Sequence, residues 1–353
     1  MNTTIQPTLQ LALRPMLRSA GKVAVTCHHS PDGDALAAIL ALSHSLRLAR
    51  WDVRVVSPSP VPKSYRFLPE WESVAVYRQD DADRLTDPGA KAALLDADVI
   101  VCLDCSDLER LGSLYSENRE KFATTPVINI DHHASNSYFG RLNLVDTSAA
   151  SVCEYLATIM EQEDLPVTVE IANVLLVGIV ADTLGFRTGA TTATTLRVAA
   201  SLMEKGASLS RASESVFNTR SASALKLWGR VLSQAQVEGQ LVWAVITREM
   251  LEECGATMED ADSLVDFIAG VPGTSAAFLF SEEDGRIRVS MRTSQDLNAA
   301  EMAQSFGGGG HPRAAGCTVD GSIDEVKRRL LEEARRRLDG LAVRREEQQE
   351  IDA

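Results

Sequence analysis

Histidine and aspartate residues follow three strand-like apolar runs of this chain, and both residue types bind divalent metal ions. The residues are His28, Asp32 and Asp34 after the run 23–27, Asp104 after the run 99–103, and Asp131, His132 and His133 after the run 127–130. The carboxyl ends of parallel strands lie along one edge of an α/β sheet, where ligands bind. The sequence therefore predicts that these side chains converge there to hold a cluster of divalent ions.

Helix capping is the simpler interpretation of Asp32 and Asp34. Both residues precede or begin a helix-like stretch, and aspartate is a preferred N-cap residue. Capping does not explain His28, nor does it explain the acidic residues at the other strand ends. Metal binding and capping both stay open for this pair.

Asp104 and Asp182 lie where a free carboxylate is unfavourable. Asp104 closes a buried run, so it needs either a metal ion or an ion pair, for example with Arg110. Asp182 ends the apolar stretch 175–181, which we predict to be helical, and a helix dipole disfavours a carboxylate at that end. A metal ion would remove this penalty.

Four consecutive glycines, residues 307–310, precede His311. Glycine is costly to order but lets backbone N–H groups come close to an anion, as in phosphate-binding loops. A flexible hinge is the alternative, although His-Pro-Arg and a predicted strand follow directly. The run is therefore interpreted as a candidate phosphate-binding loop.

The elements that must position these residues fall into two patterns. Strand-like and helix-like segments alternate between 22 and 190, which predicts a mostly parallel sheet covered by helices on both faces. The predicted strands are 22–28, 52–57, 74–78, 98–104 and 126–131, and the predicted helices are 33–50, 106–119, 149–163 and 167–184. After a helical connector, a strand at 241–246, a hairpin at 275–292, a helix at 297–305, a strand near 315–319 and a helix at 323–339 indicate a smaller α+β domain. We therefore expect a first domain at 1–190, a connector at 191–238, a second domain at 239–341 and a charged tail at 342–353.

The composition of the chain argues against two classes of binding partner, long nucleic acid and membranes. The chain has 353 residues, 45% of them hydrophobic and 24% charged, and a formal net charge of −14. An acidic protein is a poor candidate for coating long nucleic acid, because phosphate neutralisation needs clustered Lys and Arg. No stretch approaches the roughly 20 apolar residues that span a bilayer, and the six cysteines show no disulfide spacing. We expect a soluble cytoplasmic protein without a membrane partner.

Taken together, the motifs resemble those of the DHH phosphoesterase superfamily. They are His28-x-x-Pro-Asp32-Gly-Asp34, Asp104, Asp131-His132-His133, Asp182 and Gly307-Gly-Gly-Gly-His311-Pro-Arg-Ala-Ala-Gly316. They are most similar to the bacterial branch of nano-RNases and phosphatases of 3′-phosphoadenosine 5′-phosphate (pAp). The resemblance spans about residues 10 to 340, with one departure, because Ala37-Ala38 stands where many relatives have Gly-Ser.

The resemblance implies a role for each site residue. His28, Asp32 and Asp104 would hold one divalent ion, and Asp34, Asp104, His132 and Asp182 would hold a second, with manganese favoured. His133 would contact the reacting phosphate, and Asp131 would orient its neighbours. The residues expected to bind substrate phosphate or base are Gly308, Gly309, Gly310, His311 and either Arg288 or Arg292.

The implied activity is hydrolysis of very short oligoribonucleotides, pAp or both to 5′-nucleotides. Two ions would activate a water for in-line attack on phosphorus. A phosphodiesterase of cyclic di-AMP or linear dinucleotides, and a non-catalytic nucleotide sensor, are the alternatives. The expected partner is thus a small nucleotide or an RNA of two to five nucleotides, and the expected assembly is a homodimer.

Overall fold

The computed structural model describes residues 13–18, 20–78, 87–217, 221–283, 285–294, 296–310 and 312–351. The chain divides into two compact units, residues 1–219 and 220–353, and each contains one six-stranded sheet. Over the described ranges, no helix combines the length and the apolar character needed to cross a bilayer. The finer division at 190, 238 and 341 stays a prediction.

The sheet of the first unit is parallel throughout, with the strand order β3-β2-β1-β4-β5-β6. Its strands are β1 (Lys22–Cys27), β2 (Asp52–Ser57), β3 (Ala75–Val76), β4 (Val99–Leu103), β5 (Val127–Asp131) and β6 (Leu142–Val145). All residues of β4 and β5 are buried, as expected for central strands covered on both faces. The predicted mostly parallel sheet flanked by helices is confirmed.

The strand order places a crevice beside the expected metal ligands. The chain proceeds outward from β1 to β3 and then returns to place β4 on the other side of β1. In open parallel sheets, ligands bind outside the carboxyl ends of the strands at such a reversal. His28 follows β1 and Asp104 follows β4, so the two residues lie on either side of this point.

Nine helices of the first unit are described. They are α1 (Leu13–Arg18), α2 (Gly33–Leu48), α3 (Pro88–Leu95), α4 (Ser113–Ser116), α5 (Arg119–Thr124), α6 (Val152–Gln162), α7 (Val169–Asp182), α8 (Ala193–Glu204) and α9 (Leu209–Phe217). Both α2 and α7 are apolar around most of their circumference, so both are buried in the core rather than lying on its surface. Helix α2 begins between the predicted metal ligands Asp32 and Asp34, and α7 ends at the predicted ligand Asp182.

The structure corrects one predicted helix and adds elements that were not predicted, namely helices α1 and α3 and strand β6. The stretch 106–119, predicted as one helix, is a 3₁₀ turn at 108–111 followed by the short helices α4 and α5. Gly112 lies between the 3₁₀ turn and α4. Its φ is positive, at 57°, which a continuous right-handed helix does not allow. Helix α3 and strand β6 were not predicted, because α3 is only eight residues long and β6 only four.

The second unit is a mixed sheet with helices on both faces. Its strand order is β11-β12-β10-β9-β8-β7, from β7 (Gln236–Glu238), β8 (Leu241–Ile246), β9 (Ala276–Glu283), β10 (Arg286–Thr293), β11 (Gly309–Gly310) and β12 (Ala314–Val319). Its helices are α10 (Ala222–Leu232), α11 (Arg248–Cys254), α12 (Leu264–Ala269), α13 (Ala299–Gln304) and α14 (Ile323–Ile351).

Alternate residues of β9 explain this layering. Phe278 and Phe280 pack into a core with α13 and α14, whereas Ala277 and Leu279 pack into another with α10, α11 and α12. Successive side chains of a strand point to opposite faces, so β9 must be covered on both. The predicted hairpin and the smaller α+β unit are confirmed, while α11 and α12 were not predicted.

Candidate metal centre

Asp104 lies at the centre of the predicted cluster. It follows β4, is 2% exposed, and has a left-handed backbone φ of 56°, which is disfavoured for a residue with a Cβ atom. Its Oδ2 is 3.5 Å from His28 Nε2, and its Oδ1 is 3.4 Å from His132 Nε2. Among the described residues, none forms a well-aligned hydrogen bond to Oδ1. A buried carboxylate oxygen without a donor is where a cation fits.

The first ligand group is His28, Asp32 and Asp104. His28 Nδ1 lies 2.8 Å from the carbonyl of His29, so its Nε2 faces the carboxylates. Asp32 Oδ1 accepts from the N–H groups of Asp34 and Ala35 at the start of α2. The other oxygen, Oδ2, is 3.9 Å from His28 Nε2. Capping and metal binding are therefore compatible, because each uses a different oxygen of Asp32.

The second ligand group is Asp34, His132 and Asp182. The carboxylate of Asp34 accepts hydrogen bonds from the N–H groups of Val152 at 2.6 Å and Cys153 at 3.1 Å, at the start of α6. The N-terminal end of a helix favours such a negative charge. His132 Nε2 is 3.7 Å from Asp182 Oδ2, at the last residue of α7. Elements far apart in sequence thus supply this group.

The electrostatics of the two groups show an excess of buried negative charge. Burial, together with the charges of Asp104 and Asp182, raises the pKa of Asp34. Burial, opposed by His132 but reinforced by Asp104, raises the pKa of Asp182 to about 7. Burial would also raise the pKa of Asp104, but contacts with His132 and His28 hold it well below its usual range. Crowded carboxylates of this kind ionise together only when a cation compensates them.

The two histidines respond in the opposite direction. Burial disfavours the protonated ring of His28, but Asp104 outweighs burial and raises the pKa to about 9. The same balance raises the pKa of His132 to about 10. Without metal, these rings therefore carry protons that partly neutralise the carboxylates. Imidazole and carboxylate donors are also the set that binds transition-metal ions, so the residues present fit such ions.

Two glycines allow the ligand-bearing helices to approach closely. A Cβ atom on Gly178 of α7 would come within 2.3 Å of Cys153 Sγ and 2.8 Å of Asp34 Oδ1. A Cβ atom on Gly33 would come within 2.7 Å of the Tyr65 ring and 2.8 Å of the Ala181 Cβ atom. All four distances are shorter than real Cβ contacts, so the site requires glycine at both positions. The sequence motif included Gly33 without this packing role, and the sequence reasoning did not identify Gly178.

His133 lies next to the cluster and is oriented by Asp131. Its Nδ1 is 2.7 Å from Oδ1 of Asp131, which is fully buried. The other Asp131 oxygen accepts from Asn136, which also binds Asn129. The sequence reasoning missed both asparagines. The available signal was a polar residue, Asn129, inside the apolar strand β5.

Arg288, Arg292 and the glycine run lie in the second unit, and His311 lies outside the described residues. Arg292 pairs with Asp266 through two hydrogen bonds of 2.6 and 3.1 Å, whereas Arg288 is exposed and lies 3.6 Å from Glu283. Their predicted role in substrate binding remains a prediction.

The glycine run also has a structural reason. Cβ atoms at Gly308 and Gly310 would come within 2.2 and 2.6 Å of the carbonyl oxygens of Gly316 and Ala314. Close pairing of β11 with β12 therefore requires glycine at these two positions. A Cβ atom at Gly309 would meet no atom of the described residues within 4 Å.

Comparison with known proteins matches a different domain model to each of the two units. Residues 22–179 match the DHH family N-terminal domain, and residues 238–340 match the DHHA1 domain. The bifunctional oligoribonuclease and PAP phosphatase NrnA of Thermus thermophilus is 33% identical, over 90% of this chain and 90% of its own length. The protein of the same name from Bacillus subtilis is 29% identical, over 86% and 91% of the two chains.

A solved structure shares the fold. An exopolyphosphatase-related protein from Bacteroides fragilis superposes with a TM-score of 0.86 at 24% identity, covering 94% of this chain and 98% of its own. The range 22–179 that matches the DHH model contains His28, Asp32, Asp34, Asp104 and His132, and Asp182 lies three residues after it. The chain therefore belongs to the DHH family of phosphoesterases and combines the DHH domain with a DHHA1 domain.

Proposed function

We propose that this protein is a metal-dependent phosphoesterase that degrades very short oligoribonucleotides from the 3′ end and dephosphorylates pAp. One observation carries the proposal: the two carboxylate oxygens of the buried Asp104 face two different ligand groups. A residue so placed can bridge two ions, and two bridged ions are the usual device for hydrolysing phosphate esters. The names of the Thermus and Bacillus relatives support the two substrate classes.

The ligand assignment follows the two groups. His28, Asp32 and Asp104 would hold one ion, and Asp34, Asp104, His132 and Asp182 would hold the other. A mixed imidazole and carboxylate set suits Mn²⁺ better than Mg²⁺ or Ca²⁺, which prefer oxygen donors throughout. When bound, two such ions supply positive charge to the phosphoryl oxygens and lower the pKa of a coordinated water.

The chain's own residues complete the chemistry. His133, held by Asp131, contacts the reacting phosphate and stabilises the charge that develops on it. Gly308, Gly309, Gly310, His311 and Arg288 or Arg292 bind substrate phosphate or base. Hydrolysis adds the oxygen of one water to phosphorus, breaks the bond to the ester oxygen, and transfers a proton to that leaving oxygen. The products are a 5′-nucleotide and either a shortened RNA or inorganic phosphate.

A substrate panel tests the proposal. Purified protein with Mn²⁺ is compared on pAp, oligoribonucleotides of two to five residues, a 24-mer and cyclic di-AMP. We expect the fastest hydrolysis on pAp and the shortest RNAs, and none in an Asp104→Asn preparation made in parallel. Equal rates on the 24-mer and the dinucleotide, or equal rates in the two preparations, would refute it. Preference for cyclic di-AMP would favour the alternative that the sequence left open.

The domain division at 190, 238 and 341, the cytoplasmic location and the homodimer also belong to the proposal. Light scattering coupled to gel filtration of the full chain tests the assembly, and a monomer at micromolar concentration would contradict it.

A further inference from the structure

The connection between β2 and β3, residues 58–74, begins at the carboxyl edge of the first sheet. Because all strands of this sheet are parallel, His28 and Asp104 follow their strands at the same edge. The connection is tied to the loop after β1, since the Ser59 hydroxyl accepts from the backbone N–H of Ser30 at 2.7 Å. It therefore lies beside the candidate metal centre, although it contributes no ligand to the two groups.

Tyr65 of this connection packs against the start of α2. A Cβ atom added to Gly33 would come within 2.7 Å of Tyr65 Cε1 and 3.0 Å of Tyr65 Cζ, so the hydroxyl end of the ring lies against Gly33. Gly33 stands between Asp32, a member of the first ligand group, and Asp34, a member of the second. An aromatic ring thus lies next to both groups.

The ring of Tyr65 is only partly buried, and a second ring adjoins it. Tyr65 packs on the core of the first unit from one side. The ring centre of Phe67, a residue that is 38% exposed, lies 6.4 Å from that of Tyr65. A single exposed aromatic residue is ordinary on a protein surface. Two adjoining rings beside a cluster of ligands form an aromatic surface that a bound molecule can use.

This aromatic surface carries positive charge within an acidic protein. Residues 58–69 include Lys63 and Arg66 and no acidic residue, whereas the whole chain has a net charge of −14. Arg66 Nε donates to the carbonyl of Val61 at 3.2 Å, and the guanidinium lies 5.1 Å from the centre of the Trp71 ring. Among the described residues, no carboxylate pairs with Arg66. Aromatic rings interleaved with cations are typical of surfaces that bind nucleotides, with bases on the rings and phosphates near the cations.

The segment is ordered by its own sequence and packing. Val61 and Leu68 are 4% and 2% exposed and anchor it on both sides of a 3₁₀ turn at 63–65. Three prolines restrict its φ angles; they are residues 58, 60 and 62. A surface that is ordered in advance loses less conformational entropy when a ligand binds.

We propose that Tyr65, supported by Phe67, stacks on the nucleobase of the nucleotide whose phosphate lies at the metal centre. The proposal rests on the proposed function and adds to it a residue that distinguishes a nucleotide from a phosphate ester without a base. Stacking tolerates any base, because every base has a π face. The expected selectivity is therefore for the presence of a base rather than for its identity.

A supporting role for the metal ligands is the alternative to be separated. Tyr65 packs against Gly33, so its removal could displace Asp32 and Asp34. Displaced ligands would weaken every phosphate ligand of the centre to the same extent. Loss of stacking would weaken only ligands that carry a base, and a comparison of two ligands therefore separates the roles.

Calorimetric titration of the full chain with Mn²⁺ compares adenosine 5′-monophosphate with ribose 5-phosphate, which has the phosphate and no base. We expect the wild type to bind the nucleotide more tightly. Tyr65→Leu should lower the affinity for the nucleotide by about tenfold, within the contribution of one stacked base, and leave the affinity for ribose 5-phosphate unchanged. Tyr65→Phe keeps the ring and should bind both ligands like the wild type.

Four outcomes would overturn the proposal. They are equal affinity of the wild type for the two ligands, no loss in Tyr65→Leu, an equal loss for both ligands in Tyr65→Leu, and a loss in Tyr65→Phe as large as in Tyr65→Leu. Neither ligand has to be hydrolysed, so the titrations do not depend on the substrate panel. A panel without hydrolysis of pAp would refute the proposed reaction and leave the base-binding surface standing.

Steady-state kinetics on pAp provide a second readout. Tyr65→Leu should raise KM by about tenfold, with little change in kcat and with the manganese content of the wild type by elemental analysis. A lower kcat together with lost manganese would show that Tyr65 supports the ligands, and would contradict the proposal.

Tyr115 offers a matched control. It is also a partly buried tyrosine, its ring centre lies 5.4 Å from that of Phe122, and the Arg119 guanidinium lies 5.0 Å from its centre. It stands in α4, within the connection between β4 and β5. Tyr115→Leu should keep the wild-type affinity for both ligands. A loss equal to that of Tyr65→Leu would show a general effect of removing a tyrosine and would count against stacking.

Phe67→Leu keeps the proposal testable if Tyr65→Leu does not fold. We expect about threefold weaker binding of adenosine 5′-monophosphate, in the lower part of the contribution of an aromatic pair, and unchanged binding of ribose 5-phosphate. Unchanged binding of the nucleotide would overturn the supporting role of Phe67.

Discussion

The charged residues of the two sheets differ in burial and in their partners. At the carboxyl edge of the first sheet, Asp34 and Asp104 are 1% and 2% exposed, and within the described residues neither pairs with a Lys or Arg. On the second sheet, each arginine of β10 has a carboxylate partner; the pairs are Arg286–Asp320, Arg288–Glu283 and Arg292–Asp266. Partly exposed pairs of this kind contribute little stability. Buried carboxylates that no Lys or Arg accompanies, and that His28 and His132 neutralise only in part, favour a cation from outside the chain.

Removing the central carboxylate is the strongest test of this contrast. We expect Asp104→Asn or Asp104→Ala to abolish turnover, because the change removes a ligand from both ions. Elemental analysis should show loss of bound manganese, and a variant that keeps more than a few per cent of wild-type turnover would refute the bridging role. Asp107→Asn is the control, since Asp107 caps the neighbouring 3₁₀ turn through Arg110 N–H.

Two glycine-to-alanine substitutions, one in each unit, test the close packing around the candidate metal centre. Gly178→Ala places a methyl group against Asp34 and Cys153, so we expect metal affinity to fall by about 10- to 100-fold, as for other changes that displace a ligand's support. Gly229→Ala, in α10 of the second unit, meets nothing within 4 Å and should stabilise the protein by up to about 1 kcal/mol. Calorimetric titration with Mn²⁺ and thermal unfolding measure the two effects. Equal metal affinity in both variants would contradict the close-packing argument.

Charge removal on β10 should produce a smaller effect. If Arg288 binds substrate, Arg288→Ala should raise KM by about tenfold, the effect of losing roughly 1.4 kcal/mol of binding, and leave kcat unchanged. Arg286→Ala, two residues away and paired with Asp320, should change neither parameter. Steady-state kinetics on pAp compare the two. The prediction fails if both variants behave alike.

The smallest expected effect is the pH dependence of metal-free stability. The folded-state pKa values of His28 and His132 are raised to about 9 and about 10, above the unfolded value near 6.5. Their stabilisation is therefore complete below pH 6.5 and is lost as pH rises through 9 to 10. The Tm of EDTA-treated protein should fall over this window by several degrees, and by less in His132→Asn.

Much of the fold and site could be predicted because their signals are local. The apolar runs around β1, β4 and β5 identified central strands, and the residues that follow each run identified candidate ligands. The rule for parallel strand ends then brought His28, Asp104 and His132 together, as the structure confirms. The helix predicted at 106–119 was wrong: Gly112, with a positive φ, separates a 3₁₀ turn from α4, and a second break separates α4 from α5.

The sequence by itself determined the chemistry of this protein: which residue types stand at which strand ends, and therefore which ligands are available. Only the tertiary structure decided how those ligands are supported. Asp34 accepts from backbone N–H groups 118 and 119 residues away, and Asp131, which contacts His133, accepts from Asn136 on the loop that follows. The physical reason is that strand periodicity is read over a few residues, whereas hydrogen-bond partners and steric clearance exist only once distant segments have packed.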